Sequence, residues 1–378
     1  RRAASTSKEP ATVMSDAHVT PAGRHDLAGL AHPVRIGVTD YHTAGEPFRI
    51  ITSGTPTPPG ATVLDRRTWV REHLDGVRRL VVNEPRGHAD MYGAFVVPPN
   101  PPRSAGDNPA AFGTIFFHKD GYSTACGHGT IALATWALDT GLAHAPDDGD
   151  ASFAIDVPSG RVHVTARRAG GRVEAVRFRN VPSWVAARGV TVATSRGDVN
   201  VDVSYGGAFY ASVRAADLAL RVTPQDLEPL VEIGREIKWA LNEHPAAVHP
   251  VDPRLTGLYG TIWWEDVDST PAPSHIGVRQ RNVTVFADGE VDRSPCGSGT
   301  SARLALLAEN GRVASGRDLE HLSIVDTRFV GRVLGDGPPR PDGGRTVLTQ
   351  VEGAAYLTGH AEFVLDPGDD LGLGFQLR

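Results

Sequence analysis

The sequence predicts an α+β protein built from two pseudo-symmetric α/β domains. Three observations carry that prediction. Short runs of alternating apolar residues, bounded by Gly and Pro, recur along the chain and read as strands. Between them lie a few longer runs with apolar residues at helical spacing. One unit then occurs twice: strand, turn, Cys-Gly-x-Gly-Thr, helix, glycine. Its copies are CGHGTIALATWALDTG, starting at Cys126, and CGSGTSARLALLAENG, starting at Cys296.

The elements follow in order. Residues 1–33 are small and polar with no clear periodicity, and are expected to be a disordered N-terminal extension with Met14 as a candidate start. VRIGVTDYHT and FRIITSG read as strands broken by Gly45 and Pro47. TWVREHLDGVRRLVV reads as a helix passing into an extended run. TIFFHKDGYSTAC is a strand and turn leading to Cys126, and the helix after it closes near Gly141. VHVTARRAGGRVEAVRFRNVPSWV and VTVATSRGDVNVDVSYGGAFYASVRAADL add further strands, and PQDLEPLVEIGREIKWAL reads as an amphipathic helix. NVTVFADGEVDRSPC repeats the strand and turn before Cys296, and the helix after it closes near Gly311. The tail, from RTVLTQVEGAAYLTGHAEFVL, returns to strands.

Composition narrows the function. The 378 residues suit two domains and a core that needs no disulfide or metal. A net charge of -6 argues against general nucleic-acid or anionic-membrane binding. No apolar run is long enough for a transmembrane helix. Two cysteines are too few for a disulfide scaffold or a zinc-thiolate site, and suit a reducing, cytoplasmic location.

The repeated unit points to chemistry. A helix N-terminus presents unpaired N–H groups and the positive end of the helix dipole. Adjacent glycines let a ligand approach the backbone, which makes an anion site. The same field is expected to favour a thiolate. Two such units facing each other would hold a carboxylate between them, with a thiol on each face of its α-carbon. One thiolate removes the α-proton and the opposite thiol returns one, which is acid–base catalysis without a cofactor. Other readings of the cysteines are buried apolar residues or a Cys126–Cys296 disulfide. A P-loop lacks its Gly-Lys-Ser/Thr ending. His128 and Asp292 stand beside the two thiols and could bind a substrate ammonium. His42, Glu46, His88 and Asp90 form two further polar clusters, but no metal site is expected from their spacing.

DYHTAGEPFRI, NEPRGHADMYGAF, GYSTACGHGTIA, YGGAFYA, DRSPCGSGTSAR and EGAAYLTG resemble the proline racemase family, in order from about residue 35 onward. The resemblance implies the diaminopimelate-epimerase-like fold, with the active site in a cleft between two domains. It implies a first domain of residues 34–188 plus 349–378 and a second of residues 189–348. It also implies a homodimer, no pyridoxal phosphate or other cofactor, and a small-molecule substrate, proline or hydroxyproline. Cys126 and Cys296 would be the acid/base pair. The amides of Gly127, His128, Gly297 and Ser298 would hold the carboxylate, and His128 and Asp292 the ring nitrogen. Tyr92 and Phe286 would line the ring pocket. Within the family, trans-3-hydroxyproline dehydratases typically carry threonine where Cys296 stands, which favours racemisation or epimerisation. DMYGA, YGGAFYA and GLYGTIWW look closer to the dehydratase branch, so that activity is the alternative. Tyr92 stands where proline racemases tend to have Phe, and its phenol suits a hydroxylated ring or a hydroxyl left in water.

Overall fold

The computed structural model describes residues 27, 30, 33–102, 104, 108–267, 273–313 and 316–377. Its elements begin with β1 (Arg35–Thr43), β2 (Glu46–Ser53), α1 (Val63–His73), α2 (Asp75–Val82), β3 (Tyr92–Val97), β4 (Phe112–His118) and β5 (Gly121–Tyr122). They continue with α3 (Gly127–Asp139), β6 (Gly149–Val157), β7 (Gly160–Ala169), β8 (Arg172–Arg179), β9 (Trp184–Thr194), β10 (Gly197–Tyr205) and β11 (Phe209–Arg214). Then come α4 (Leu227–Leu241), β12 (Leu258–Asp266), β13 (Ile276–Phe286), β14 (Glu290–Asp292) and α5 (Gly297–Glu309). The last are β15 (Asp318–Leu322), β16 (Arg328–Asp336), β17 (Val347–Gly353) and β18 (Ala355–Val364). Among the described residues, no helix is long and apolar enough to cross a membrane.

The repeat seen around the cysteines extends to a whole half of the molecule. In the first half, β18 pairs antiparallel with β1 and β1 with β2; β2–β3 is parallel, β3–β4 antiparallel, β4–β6 parallel, and β6–β7 and β7–β8 antiparallel. The second half has the same sequence of pairings: β9–β10 and β10–β11 antiparallel, β11–β12 parallel, β12–β13 antiparallel, β13–β15 parallel, and β15–β16 and β16–β17 antiparallel. The two runs join where β8 pairs antiparallel with β17.

Parallel neighbours need a crossover connection, and each one here carries a helix. α1 and α2 cross between β2 and β3, and α4 between β11 and β12. α3 and α5 make the other crossover of each half and run through its centre. From Gly127 to Leu138 every residue of α3 is buried, and from Gly297 to Leu307 every residue of α5. That burial explains why, apart from His128 and Arg303, their buried residues are apolar or small on all faces rather than along one stripe. α3 packs against β1, β2, β8 and β18, and α5 against the corresponding β10, β11, β17 and β9. The architecture is therefore α+β, as the sequence predicts.

Three local readings change. RRLVV is not extended but belongs to α2, where Val77, Leu80 and Val81 are buried and Arg78 is tied to Asp75 at 2.6 Å. Three β-branched valines in that window mimic a strand, but their burial on the sheet decides for a helix. α1 is set by a capping box, with Asp65 N–H donating to Thr62 Oγ1 at 3.1 Å and Thr62 N–H to Asp65 Oδ2 at 3.0 Å. Pro47 does not break a strand: it lies second in β2, opposite His42. Most of residues 1–33 lies outside the described residues, but Leu27 and Leu30 are described and buried against Val63 and Leu74. Positions 188/189 and 348/349, expected as domain limits, fall inside β9 and β17.

Candidate active site

The first turns of α3 and α5 meet end to end. A Cβ on Gly127 would lie 2.3 Å from Gly297 Cα, and one on Gly297 would lie 2.6 Å from Gly127 Cα. Only two glycines allow that approach, so these two positions fix how close the helix N-termini come. The next glycine in each unit makes room for its own thiol. A Cβ on Gly129 would lie 2.8 Å from Cys126 Sγ, and one on Gly299 would lie 2.9 Å from Cys296 Sγ. Cys126 and Cys296 are the N-cap residues of α3 and α5, both are free thiols, and each is 5% exposed. The first-turn amides of Gly127, His128, Gly297 and Ser298 have no acceptor within their helices, which leaves them available to a carboxylate.

The two cysteines are held differently. Cys126 is extended (φ -153°, ψ 108°) and its Sγ accepts from Gly129 N–H at 3.2 Å. Cys296 is in the left-handed region (φ 59°, ψ 102°), a conformation that costs a non-glycine residue about 1–3 kcal/mol. A chain of hydrogen bonds holds it there. Asp292 Oδ1 accepts from Ser294 N–H at 2.8 Å and from Ser294 Oγ at 2.7 Å, and Ser294 Oγ accepts from Cys296 N–H at 3.1 Å.

An opposing effect meets the expected thiolate preference. Burial pushes both thiols up, Cys296 to about 12, and the negative charge of Asp292 adds to the rise at each. Gly129 N–H opposes the rise at Cys126 but does not reverse it. Desolvation therefore opposes the helix dipole at both thiols.

Asp292 lies 3.6 Å from His128 Nδ1, so the two residues expected at the ring nitrogen do converge. Cys126 Sγ is 3.4 Å from His128 Nε2. Glu46 and Asp90, from the two polar clusters, reach the same turn from the other half. Arg293 N–H donates to Glu46 Oε2 at 2.7 Å, Val291 N–H to Asp90 Oδ1 at 3.1 Å, and Arg293 NH2 to Asp90 Oδ2 at 2.8 Å. Burial and the nearby Asp292 charge raise Glu46 well above the carboxylate range. His42 stays at the β1–β2 turn against Tyr356, and His88 lines a small recess with Asn83 and Gln376. Among the described residues one group has the spacing of metal ligands, His118, Asp120 and Glu290. Within it His118 Nδ1 lies 2.9 Å from Glu290 Oε1, Asp120 Oδ2 accepts from Asp288 N–H at 3.0 Å, and Glu290 Oε2 is buried without a hydrogen-bond partner.

Tyr92 and Phe286 are both buried beside the cysteines, with ring centroids 5.8 Å apart. The Tyr92 hydroxyl is not in water: it bonds to Ser123 Oγ and, at 3.0 Å, to Tyr259 OH. The sequence reading did not single out Tyr259 or Tyr210. Tyr259 stacks on Phe286 at 5.4 Å and 10°. Tyr210 OH bonds to Ser298 Oγ at 2.6 Å and lies 3.7 Å from Cys296 Sγ. Their segments, YGGAFYA and GLYGTIWW, carried the signal, but only strand register shows which tyrosine faces inward. A cleft of about 570 Å³ opens elsewhere between the halves, lined by Asp90, Lys119, Arg235, Trp239 and Asp288 and by neither cysteine.

Residues 38–376 match the family described as proline racemase. The chain belongs to the proline racemase family. It is 43% identical over 349 residues to the trans-3-hydroxy-L-proline dehydratase of Burkholderia cenocepacia, covering 91% of this chain and 98% of that one. It is 42% identical over 344 residues to the 3-hydroxyproline 2-epimerase of Burkholderia multivorans, covering 91% and 98%. Among solved structures it resembles a hydroxyproline epimerase from Agrobacterium vitis with bound trans-4-hydroxy-L-proline, at TM-score 0.81 and 29% identity over 91% of this chain and 96% of that one. As a proline racemase family enzyme it falls with isomerases or hydro-lyases, and relatives of both kinds share its length.

Proposed function

We propose that this enzyme inverts the α-carbon of a 3-hydroxyproline, using Cys126 and Cys296 as the acid/base pair. The observation that carries the reading is the meeting of Gly127 and Gly297, which puts one thiol at each of two abutting helix N-termini. The carboxylate would be held by the amides of Gly127, His128, Gly297 and Ser298. His128 and Asp292 would hold the ring nitrogen, and their 3.6 Å approach supports that role. One thiolate takes the α-proton, the carboxylate charge is stabilised by fixed dipoles, and the opposite thiol delivers a proton to the other face. The reverse reaction exchanges the roles, so both cysteines serve in each direction. The 3-hydroxyl is favoured because the named relatives, epimerase and dehydratase alike, act on that ring.

The second reading is trans-3-hydroxy-L-proline dehydratase, favoured by several relatives of that name at 41–43% identity. A dehydratase needs one base at the α-carbon and no second donor there, which would leave Cys296 only the task of protonating the departing hydroxyl. Incubation of L- and D-proline and the 3- and 4-hydroxyprolines in deuterated buffer separates the two. Epimerisation gives α-deuterated product of inverted configuration, and dehydration gives a cyclic imine without the hydroxyl. The proposal fails if no 3-hydroxyproline exchanges its α-proton. A second test is alkylation with and without pyrrole-2-carboxylate, a planar mimic of the deprotonated substrate. If it protects neither cysteine, the shared pocket is wrong.

A further inference from the structure

Tyr259 occupies a singular place among the described residues. Its ring packs both against the apolar cluster that holds Cys126 and against the one that holds Cys296. It lies flat on Phe286 at 5.4 Å and meets the Tyr210 ring edge-on at 5.5 Å and 76°. Its backbone carbonyl accepts from Ala287 N–H at 3.1 Å. Ring and backbone are thus both fixed, so the direction of the phenol is fixed as well.

The hydroxyl ends a chain. Ser123 Oγ bonds to Tyr92 OH, and Tyr92 OH to Tyr259 OH at 3.0 Å. A phenol has one donor and two acceptor positions. Tyr92 has neighbours on both sides, whereas the Tyr259 hydroxyl bonds only to Tyr92 among the interactions described. It therefore keeps hydrogen-bonding capacity at a point that touches both half-sites.

We propose that Tyr259, backed by Tyr92, binds the ring hydroxyl of the substrate and sets the preference for hydroxylated over plain proline. This rests on the reading that the substrate is a 3-hydroxyproline. Burial keeps both phenols neutral far above physiological pH, so they remain donors throughout the working range. Plain proline would leave the Tyr259 hydroxyl facing an apolar ring edge. A site built to pair a hydroxyl discriminates against the analogue lacking it, because the spare hydrogen-bonding position of the Tyr259 hydroxyl then goes unfilled.

The test compares two ligands on one variant. Wild-type turnover of trans-3-hydroxy-L-proline checks the reading underneath, independently of any mutation. Tyr259→Phe then removes one oxygen and keeps the stacked ring. The expected result is a rise in KM for trans-3-hydroxy-L-proline of about tenfold or more, with the dissociation constant of pyrrole-2-carboxylate, which has no ring hydroxyl, moving by less than about twofold. Tyr92→Phe is expected to move the same ratio by a smaller factor, and the double variant to lose less than the product of the two singles. A parallel loss for both ligands would assign Tyr259 a packing role only. An unchanged KM in Tyr259→Phe would remove it from hydroxyl recognition.

Discussion

The two cysteine half-sites share a strand order, a helix and a glycine pattern, yet they are built from different materials. Around Cys126 aromatic packing dominates, beside hydrogen bonds from Gly129 N–H to its Sγ and from Thr130 Oγ1 to its carbonyl. Phe48 is fully buried, meets His128 edge-on at 5.6 Å, and packs against Tyr92 and Phe116. Around Cys296 the support is polar. Besides the Asp292–Ser294–Cys296 chain, Asn282 Nδ2 donates to Pro295 O at 3.1 Å and meets His321 Nε2 at 2.7 Å, and His321 Nδ1 lies 2.8 Å from Thr300 Oγ1. The difference follows the backbone. An extended Cys126 carries no backbone strain, whereas a left-handed Cys296 needs directional bonds to stay there. Equivalent chemistry at two positions does not require equivalent means of holding it.

The sharpest break removes the thiols themselves. Cys126→Ala and Cys296→Ala are each expected to lower the rate of stereoinversion about 10³-fold or more, since each direction needs both groups. Chiral chromatography of the product checks this, and a single variant that still eliminates water from trans-3-hydroxy-L-proline would favour the dehydratase reading. Next come the supports. Phe48→Ala is expected to cost about 3–5 kcal/mol in chemical denaturation, as for other buried aromatics. His321→Ala is expected to cost about 1–3 kcal/mol by removing one hydrogen bond from each of Asn282 and Thr300. Equal losses would erase the contrast between packed and bonded support.

Acid should act through the same polar support. Burial pushes both His321 and His118 down to about 3. Unfolded histidine titrates near 6.5, so folding keeps these groups neutral and their contribution is intact above that pH. It is lost as pH falls from about 6.5 towards 3, by roughly 2–3 kcal/mol for each histidine at pH 4.5. Denaturation midpoints at pH 7 and 4.5 measure it, and His321→Ala should show a smaller difference between them than wild type. The smallest expected effect is at Ser294. Ser294→Ala removes the acceptor for Cys296 N–H and is expected to cost about 1 kcal/mol of stability, while lowering kcat more than it raises KM. Ser294→Thr should restore kcat, and failure to do so would leave Ser294 without a positioning role.

Much of this was legible in the sequence because it is local. The Cys-Gly-x-Gly-Thr units name both thiols and the glycines beside them, and Gly141 and Gly311 mark both helix ends with positive φ. His128 and Asp292 were readable because each lies within a few residues of its cysteine. What was hidden depends on contacts between distant segments. Val81 and Val82 read as a strand until the sheet they cover is known. Arg293 joins Glu46 and Asp90 across more than 200 residues of chain. The burial that opposes a thiolate at each cysteine was hidden for the same reason. A helix N-terminus is visible in sequence, but the degree of burial that opposes it is a property of the closed site.

The pairing of β18 with β1 gives the molecule a particular order of assembly. Arg35 on β1 meets Glu362 on β18 across 327 residues of chain. During synthesis the first half therefore waits, its β1 edge unpaired, while the whole second half emerges from the ribosome and has all its own strands in hand. An open edge of that kind invites pairing with other chains. The half that is made first is the last to close, and the newborn protein is most exposed to misassembly in the interval before its final strand arrives.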